Sequence, residues 1–115
     1  ELRGLRAGPC RTRELPLIGA PGNPGPPCGP VAGLPPSLVA RYGAEAANVV
    51  AAARCQRPLD PVAEGVDVTR AEFEYAVTHE CALTVGDIVD RRTRIGLVAR
   101  DRERVVGVAE EFLGC

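Results

Sequence analysis

The run VTHECAL, residues 77 to 83, holds the only histidine of the chain, beside a glutamate and a cysteine. His79 and Glu80 open an HExxH pattern, in which two histidines one helical turn apart hold zinc and the glutamate acts as base. The second histidine would stand at position 83, which is Leu83, so that chemistry is excluded. A mixed set of Cys55, His79, Glu80 and Cys81 fares little better, because ligands at i and i+2 diverge on a helix. The five cysteines are odd in number, widely spaced and without a CxxC pair, which reads as reduced thiols. Arg91, Arg92 and Arg94 are of the type that contacts phosphate or nucleic acid. No aromatic platform accompanies them, however, and the net charge is −1. No serine, cysteine or carboxylate pair has the companions of a nucleophile or an acid–base dyad. The residues therefore assign no catalytic, cofactor-binding or metal-binding role.

The elements that position these residues read as helices. Ser37 caps a short helix through Tyr42 that Gly43 stops, and an alanine-rich helix follows from Ala44 to about Arg54. Thr69 and Glu72 form a capping box, with Val68 and Phe73 as its hydrophobic staple, and start a helix from Arg70 to about Cys81. Thr84 and Asp87 form a second box, starting a helix to about Arg92 that resumes through Val98. Asp101 caps a last helix whose stripe is Val105, Val106, Ala109, Phe112 and Leu113, ended by Gly114. The expectation is an all-α fold, a small orthogonal bundle of about five short helices.

Turned by about 100° per residue, the Thr69 helix puts Glu80 near the middle of the arc that Phe73, Ala76 and Val77 define. The same rotation puts Arg92 near the centre of the arc of Val85, Ile88 and Val89, with Arg91 at its edge. A carboxylate on an apolar face must be protonated, paired or functional. The expected arrangement is a structural ion pair, Glu80–Arg92, docking two helices. Losing one partner of a buried pair costs about 3–5 kcal/mol. Arg91 and Arg94 are left as anion or partner contacts.

Nine of the eleven prolines lie between Pro9 and Pro36, so residues 1–36 read as an extended Pro/Gly-rich segment and residues 37–115 as the helical domain. Gly19, Gly22 and Gly25 begin three collagen-type triplets, too few for a triple helix, and their prolines forbid a dinucleotide-binding turn. The stretch from Cys10 to Ala20 reads as extended chain lying on another surface. With only four aromatics, the core rests on Val, Leu, Ile and alanine. All basic residues are arginine, as a high-GC coding bias produces. No apolar run is long enough to span a bilayer, nothing at the start reads as a signal peptide, and Glu1 in place of methionine reads as a processed or excised piece.

The run EFEYAVTHECALTVGDIVDRRTRIGL, residues 72 to 97, resembles the signature E-x-x-Y-x-V-x-x-E-x-A-x-T-x-x-D-x-x-x-R-R-T-R. That signature belongs to the C-terminal helical domain of the FAD-dependent glycerol-3-phosphate dehydrogenase/oxidase family. SLVARYGAEAANVVAAAR is similar to that module's first helices, and CRTRELPLIGA to the segment leaving the flavin domain. The resemblance implies a parent enzyme that oxidises sn-glycerol 3-phosphate to dihydroxyacetone phosphate and passes electrons through FAD to quinone, or to oxygen in the oxidase branch. The chain has no match to the family's dinucleotide motif, substrate-phosphate arginines or catalytic histidine, so it is expected to be inactive and flavin-free by itself. Residues 1–36 would then be the end of the flavin domain and a linker. The expected partner is the flavin/substrate domain of the same protein, with homodimer contacts and a cytoplasmic parent at the inner membrane face as further expectations. The coding bias suits an actinobacterial source. The competing expectation is a stand-alone interaction module that binds nucleic acid through Arg91, Arg92 and Arg94.

Overall fold

The computed structural model describes residues 8–17, 20 and 30–114. Four α-helices carry the architecture: α1 Pro36–Tyr42, α2 Ala46–Ala52, α3 Arg70–Thr78 and α4 Ala99–Leu113. A π-helical turn spans Asp87–Arg92, and 3-10 turns span Gly43–Glu45 and Ile95–Leu97. The one extended pairing among the described residues is an antiparallel bridge between Pro61 and Thr69. The all-helical class stands as the sequence predicts, with one α-helix fewer because the Thr84 segment winds as a π turn.

The bundle is organised around α3, which separates two cores. Phe73 and Ala76 face the larger one, with Ile88, Val89, Val105 and Phe112. Ala71 and Tyr75 face a smaller one, with Leu38, Ala46 and Val49. Phe73 and Phe112 meet edge to face, their ring centroids 6.0 Å apart, a favoured aromatic arrangement. Ala46, Ala71, Ala76 and Ala109 are buried and leave room for close backbone approach. The capping box at the start of α3 is present, and the staple residues Val68 and Phe73 are both buried in the larger core.

The helix ends depart from expectation for local reasons. Ser37 does not cap α1. The helix begins one residue earlier at Pro36, whose preset φ suits a first turn, and the Ser37 hydroxyl donates to the Asp67 carbonyl at 2.9 Å. A 3-10 turn replaces the start of the second expected helix, and Ala52 ends it. Helix α3 stops at Thr78: the N–H groups of His79 and Glu80 both donate to the Tyr75 carbonyl, at 2.8 and 3.2 Å. Cys81 then takes a left-handed φ of 58°, and Ala82 N–H closes on Ala76 at 2.9 Å. In the next segment Thr93 N–H reaches back five residues to Ile88 at 2.9 Å, the π spacing. Arg94, at φ 60°, breaks the winding before the 3-10 turn. Helix α4 begins at Ala99 with Val98 as its cap, which places Asp101 inside the first turn.

Upstream, Glu14 N–H donates to the Arg11 carbonyl at 2.9 Å, so Cys10–Leu17 contains a turn where extended chain was expected. The collagen-type triplets, most of the Pro-rich stretch, Cys28 and Cys115 lie outside the described residues.

Candidate functional site

Glu72 stands at the third position of α3 and is 1% exposed. Its Oε2 accepts the Thr69 N–H at 2.6 Å and the Thr69 hydroxyl at 2.9 Å. From the other side, Arg41 Nε donates to Oε1 at 2.6 Å and Nη2 to Oε2 at 3.3 Å. Arg41 also reaches the Asp67 carboxylate at 3.3 Å and the Asp67 carbonyl at 2.5 Å. Burial would lower the Arg41 guanidinium, but the hydrogen bonds and charges of Glu72 and Asp67 outweigh it and hold the pKa above its ordinary value. A buried carboxylate is tolerable when so fully paired. This pair, joining α1 to α3, is the buried fastener of the fold. The sequence reading placed Glu72 only in a capping box and missed Arg41. The available signal was a basic residue in the last turn of one helix and an acidic one in the first turn of another.

Glu80 lies beyond the end of α3, so the helical rotation that centred it on an apolar face does not extend to it. It is half-buried. Burial raises its carboxyl and nearby Glu72 adds to that, while the Arg92 charge pulls the other way; the net shift is upward. Arg92 is exposed, and among the described residues no hydrogen bond or ion pair joins the two side chains. Glu80 and Arg92 therefore sense each other as charges across space, not as a closed pair.

Asp87 anchors the next segment. Its Oδ2 accepts the N–H groups of Leu83 and Thr84 at 3.1 and 3.0 Å and the Thr84 hydroxyl at 2.9 Å, while its own N–H returns to Thr84 Oγ1 at 3.1 Å. Thr84 does most to hold this carboxyl below its usual range. Arg91 bonds the other oxygen of Asp87, one turn back. All three arginines, Arg91, Arg92 and Arg94, are exposed, and of them Arg91 alone meets a carboxylate among the described residues.

His79 is an exposed residue stacked on Tyr75, with centroids 4.4 Å apart, and its Nδ1 lies 2.7 Å from the Thr78 hydroxyl. Tyr75 in turn meets Tyr42 edge-on at 5.8 Å. Cys81 is exposed on its left-handed turn, and no three His, Cys, Asp or Glu side chains among the described residues gather as metal ligands.

Glu74 was not singled out in the sequence. Its carboxylate receives the N–H of Arg54 at 3.0 and 2.9 Å and that of Cys55 at 2.9 Å. It thereby satisfies the chain as it leaves α2. Burial opposes ionisation of Glu74, but these amides and the Cys55 thiol outweigh it and lower the pKa. Beside it lies a cavity of about 310 Å³ lined by Cys55, Val77, Thr78 and Phe112. Burial, reinforced by the Glu74 carboxylate, pushes the Cys55 thiol up to about 11, so it stays protonated near neutrality. The described residues thus bring together anchors, caps and aromatic contacts.

A family model described as the C-terminal domain of alpha-glycerophosphate oxidase matches residues 10–112, through the Pro-rich stretch and the helices alike. Proteins named "Glycerol-3-phosphate dehydrogenase 1" from Mycobacterium bovis and Mycobacterium tuberculosis are each 79% identical to the chain over 112 residues. The match covers 97% of this chain and 22% of those relatives, so the chain spans about a fifth of their length. No solved structure matches it significantly.

Proposed function

The chain belongs to the family of the C-terminal domain of alpha-glycerophosphate oxidase, and from that premise we propose that it is the non-catalytic helical domain of a flavin-dependent sn-glycerol-3-phosphate dehydrogenase. In this reading the whole enzyme oxidises sn-glycerol 3-phosphate to dihydroxyacetone phosphate, with FAD as hydride acceptor and quinone as the onward electron carrier. The identity of 79% over 112 residues to relatives named for that activity carries the reading.

The described residues do not fit a flavin dinucleotide. Their one extended pairing is the Pro61–Thr69 bridge, so they lack the strand–turn–helix that cradles a pyrophosphate. In this reading the flavin, the substrate and the catalytic groups belong to the rest of the longer polypeptide. The task of this domain is to pack on that part, and subunit contacts fall to the same surface class. No helix among the described residues is long and apolar enough to cross a membrane. In this reading the parent is cytoplasmic and attaches to the inner membrane face by surface contact.

The test compares the full-length protein with the 115-residue chain. The full-length protein is expected to carry about one flavin per chain and to reduce a quinone analogue with sn-glycerol 3-phosphate, and the 115-residue chain to do neither. Stoichiometric flavin and turnover in the short chain, or their absence from the full-length protein, would overturn the proposal.

A further inference from the structure

The span from Arg92 to Val98 is held firmly from beneath and presents an unusual outer side. Thr93 fixes its start, with its N–H and its hydroxyl both donating to the Ile88 carbonyl, at 2.9 and 2.8 Å. Ile95 is buried in the larger core. Leu97 N–H closes on the Arg94 carbonyl at 3.2 Å, and the Val98 carbonyl accepts from Asp101 and Arg102 at 3.0 Å as α4 begins. Gly96 lies tight against Asp90. A span so constrained holds its outward side chains in place before any partner arrives.

Those outward side chains are Arg92, Arg94, Leu97 and Val98, the last two 77% and 52% exposed. Six arginines elsewhere, Arg41, Arg57, Arg91, Arg100, Arg102 and Arg104, each meet a carboxylate. Arg92 and Arg94 meet none among the described residues; nor do Arg54 and Arg70, but Arg70 is seated over the Phe112 ring. Arg94 is held at φ 60°, which a non-glycine side chain adopts only at a cost in free energy. Arginine is enriched at interface centres, and the solvent-facing Leu97 and Val98 beside it offer apolar area for a partner to cover.

The geometry points to the Arg92–Val98 turn as the surface by which this domain docks on the remainder of its own polypeptide, on a face that offers carboxylates around an apolar patch. The inference rests on the reading of the chain as one domain of a longer enzyme. It commits to that occupant because the relatives are more than four times as long as the match, which covers 22% of them, and because two exposed arginines beside an apolar patch complement a face that offers carboxylates. An anionic bilayer is the weaker fit: two free arginines on a chain of net charge −1 give little attraction, at about 1 kcal/mol per basic residue near such a surface.

The experiment places photoreactive benzoylphenylalanine at position 97 of the full-length protein, with anionic phosphatidylglycerol vesicles present, and maps the cross-links after irradiation. The expected product is an intramolecular link to a peptide upstream of this domain. The Arg92→Glu, Arg94→Glu variant should reduce its yield roughly tenfold, as loss of interface-centre arginines does. Should charge reversal prevent folding, Arg92→Ala with Arg94→Ala is expected to give the same direction of change. Links to a second copy, links to lipid, or no link at all would each overturn the docking assignment. Flavin content and glycerol-3-phosphate oxidation of the same preparation judge the parent activity separately, so the two readings can fail independently.

Discussion

Two glutamates eight residues apart, Glu72 and Glu80, show how burial and pairing decide what a carboxylate does. Glu72 accepts hydrogen bonds from Thr69 and Arg41, so removing its charge leaves a guanidinium and a helix start without their acceptor. Glu72→Ala is expected to destabilise the fold by about 3 kcal/mol, the lower end for breaking a buried pair, since Arg41 keeps some contact with water and with Asp67. Glu80 has the opposite sign. Its raised pKa means the folded state holds the proton more tightly than the unfolded chain. Its contribution is therefore full below the unfolded carboxylate range and is lost as pH rises through the raised folded value. Glu80→Gln should leave the melting temperature at pH 7 unchanged or higher. A marked drop in thermal unfolding of Glu80→Gln would restore the closed Glu80–Arg92 pair that helical rotation suggests. Glu74, Asp87 and Asp90 carry lowered pKa values, so their contribution is present above the unfolded carboxylate range and is lost as pH falls through their lower folded values. Chemical denaturation should accordingly show stability falling with acid below about pH 4. The loss should be smaller in Glu74→Gln and unchanged in Glu80→Gln.

Between elements, the contact of Gly96 with Asp90 shows why a small residue sits in the middle of the 3-10 turn. A Cβ at position 96 would stand 1.9 Å from Asp90 Oδ1 and 3.4 Å from the Asp90 Cα. That carboxylate is already engaged by Arg102 of α4, at 3.0 and 3.1 Å. Gly96→Ala displaces the Asp90 carboxylate and loosens its surface pair with Arg102, for about 0.2–1 kcal/mol. In an Asp90→Ala background the cost should shrink, because the nearest atom is gone. Equal costs in the two backgrounds, measured by a double-mutant cycle, would show that the backbone is the obstacle. Helix starts were legible at the two capping boxes but not at Ser37 or Asp101, neither of which caps its helix. Both capping boxes declare themselves, because Thr and an acid three residues apart have one local solution. The stop at Arg92 falls where the sequence places it, whereas the stop at Thr78 comes before the expected Cys81, because Cys81 takes a left-handed geometry that it does not advertise as glycine would. The Arg41–Glu72 pair was illegible because it spans thirty-one residues, beyond any periodicity.

Across the whole molecule, α3 serves two cores of unequal size, and this sets how the protein should come apart. Leu38 is fully buried in the smaller core, where Ala46, Val49 and Ala71 are its buried neighbours. Phe73 is fully buried in the larger core, which draws on the Val62–Val68 stretch, the π turn and α4. Leu38→Ala and Phe73→Ala each remove a large apolar side chain, at about 2–5 and 3–5 kcal/mol respectively. The consequences should differ in extent, because stability is distributed in cooperative units and not evenly. Losing Leu38 loosens α1 and α2, whose ties to α3 then include the Arg41–Glu72 bridge, the Tyr42–Tyr75 ring contact and the Glu74 carboxylate on the amides of Arg54 and Cys55. Losing Phe73 removes the side chain that meets Phe112 and packs with Ile88 and Val105, so no helix keeps its seat. Amide hydrogen exchange should therefore show residues 36–52 losing protection in Leu38→Ala while residues 99–113 keep theirs. In Phe73→Ala the loss should reach every helix. If Leu38→Ala lowered protection uniformly through α4, the two cores would form one cooperative unit, and α3 would transmit strain between them instead of separating them.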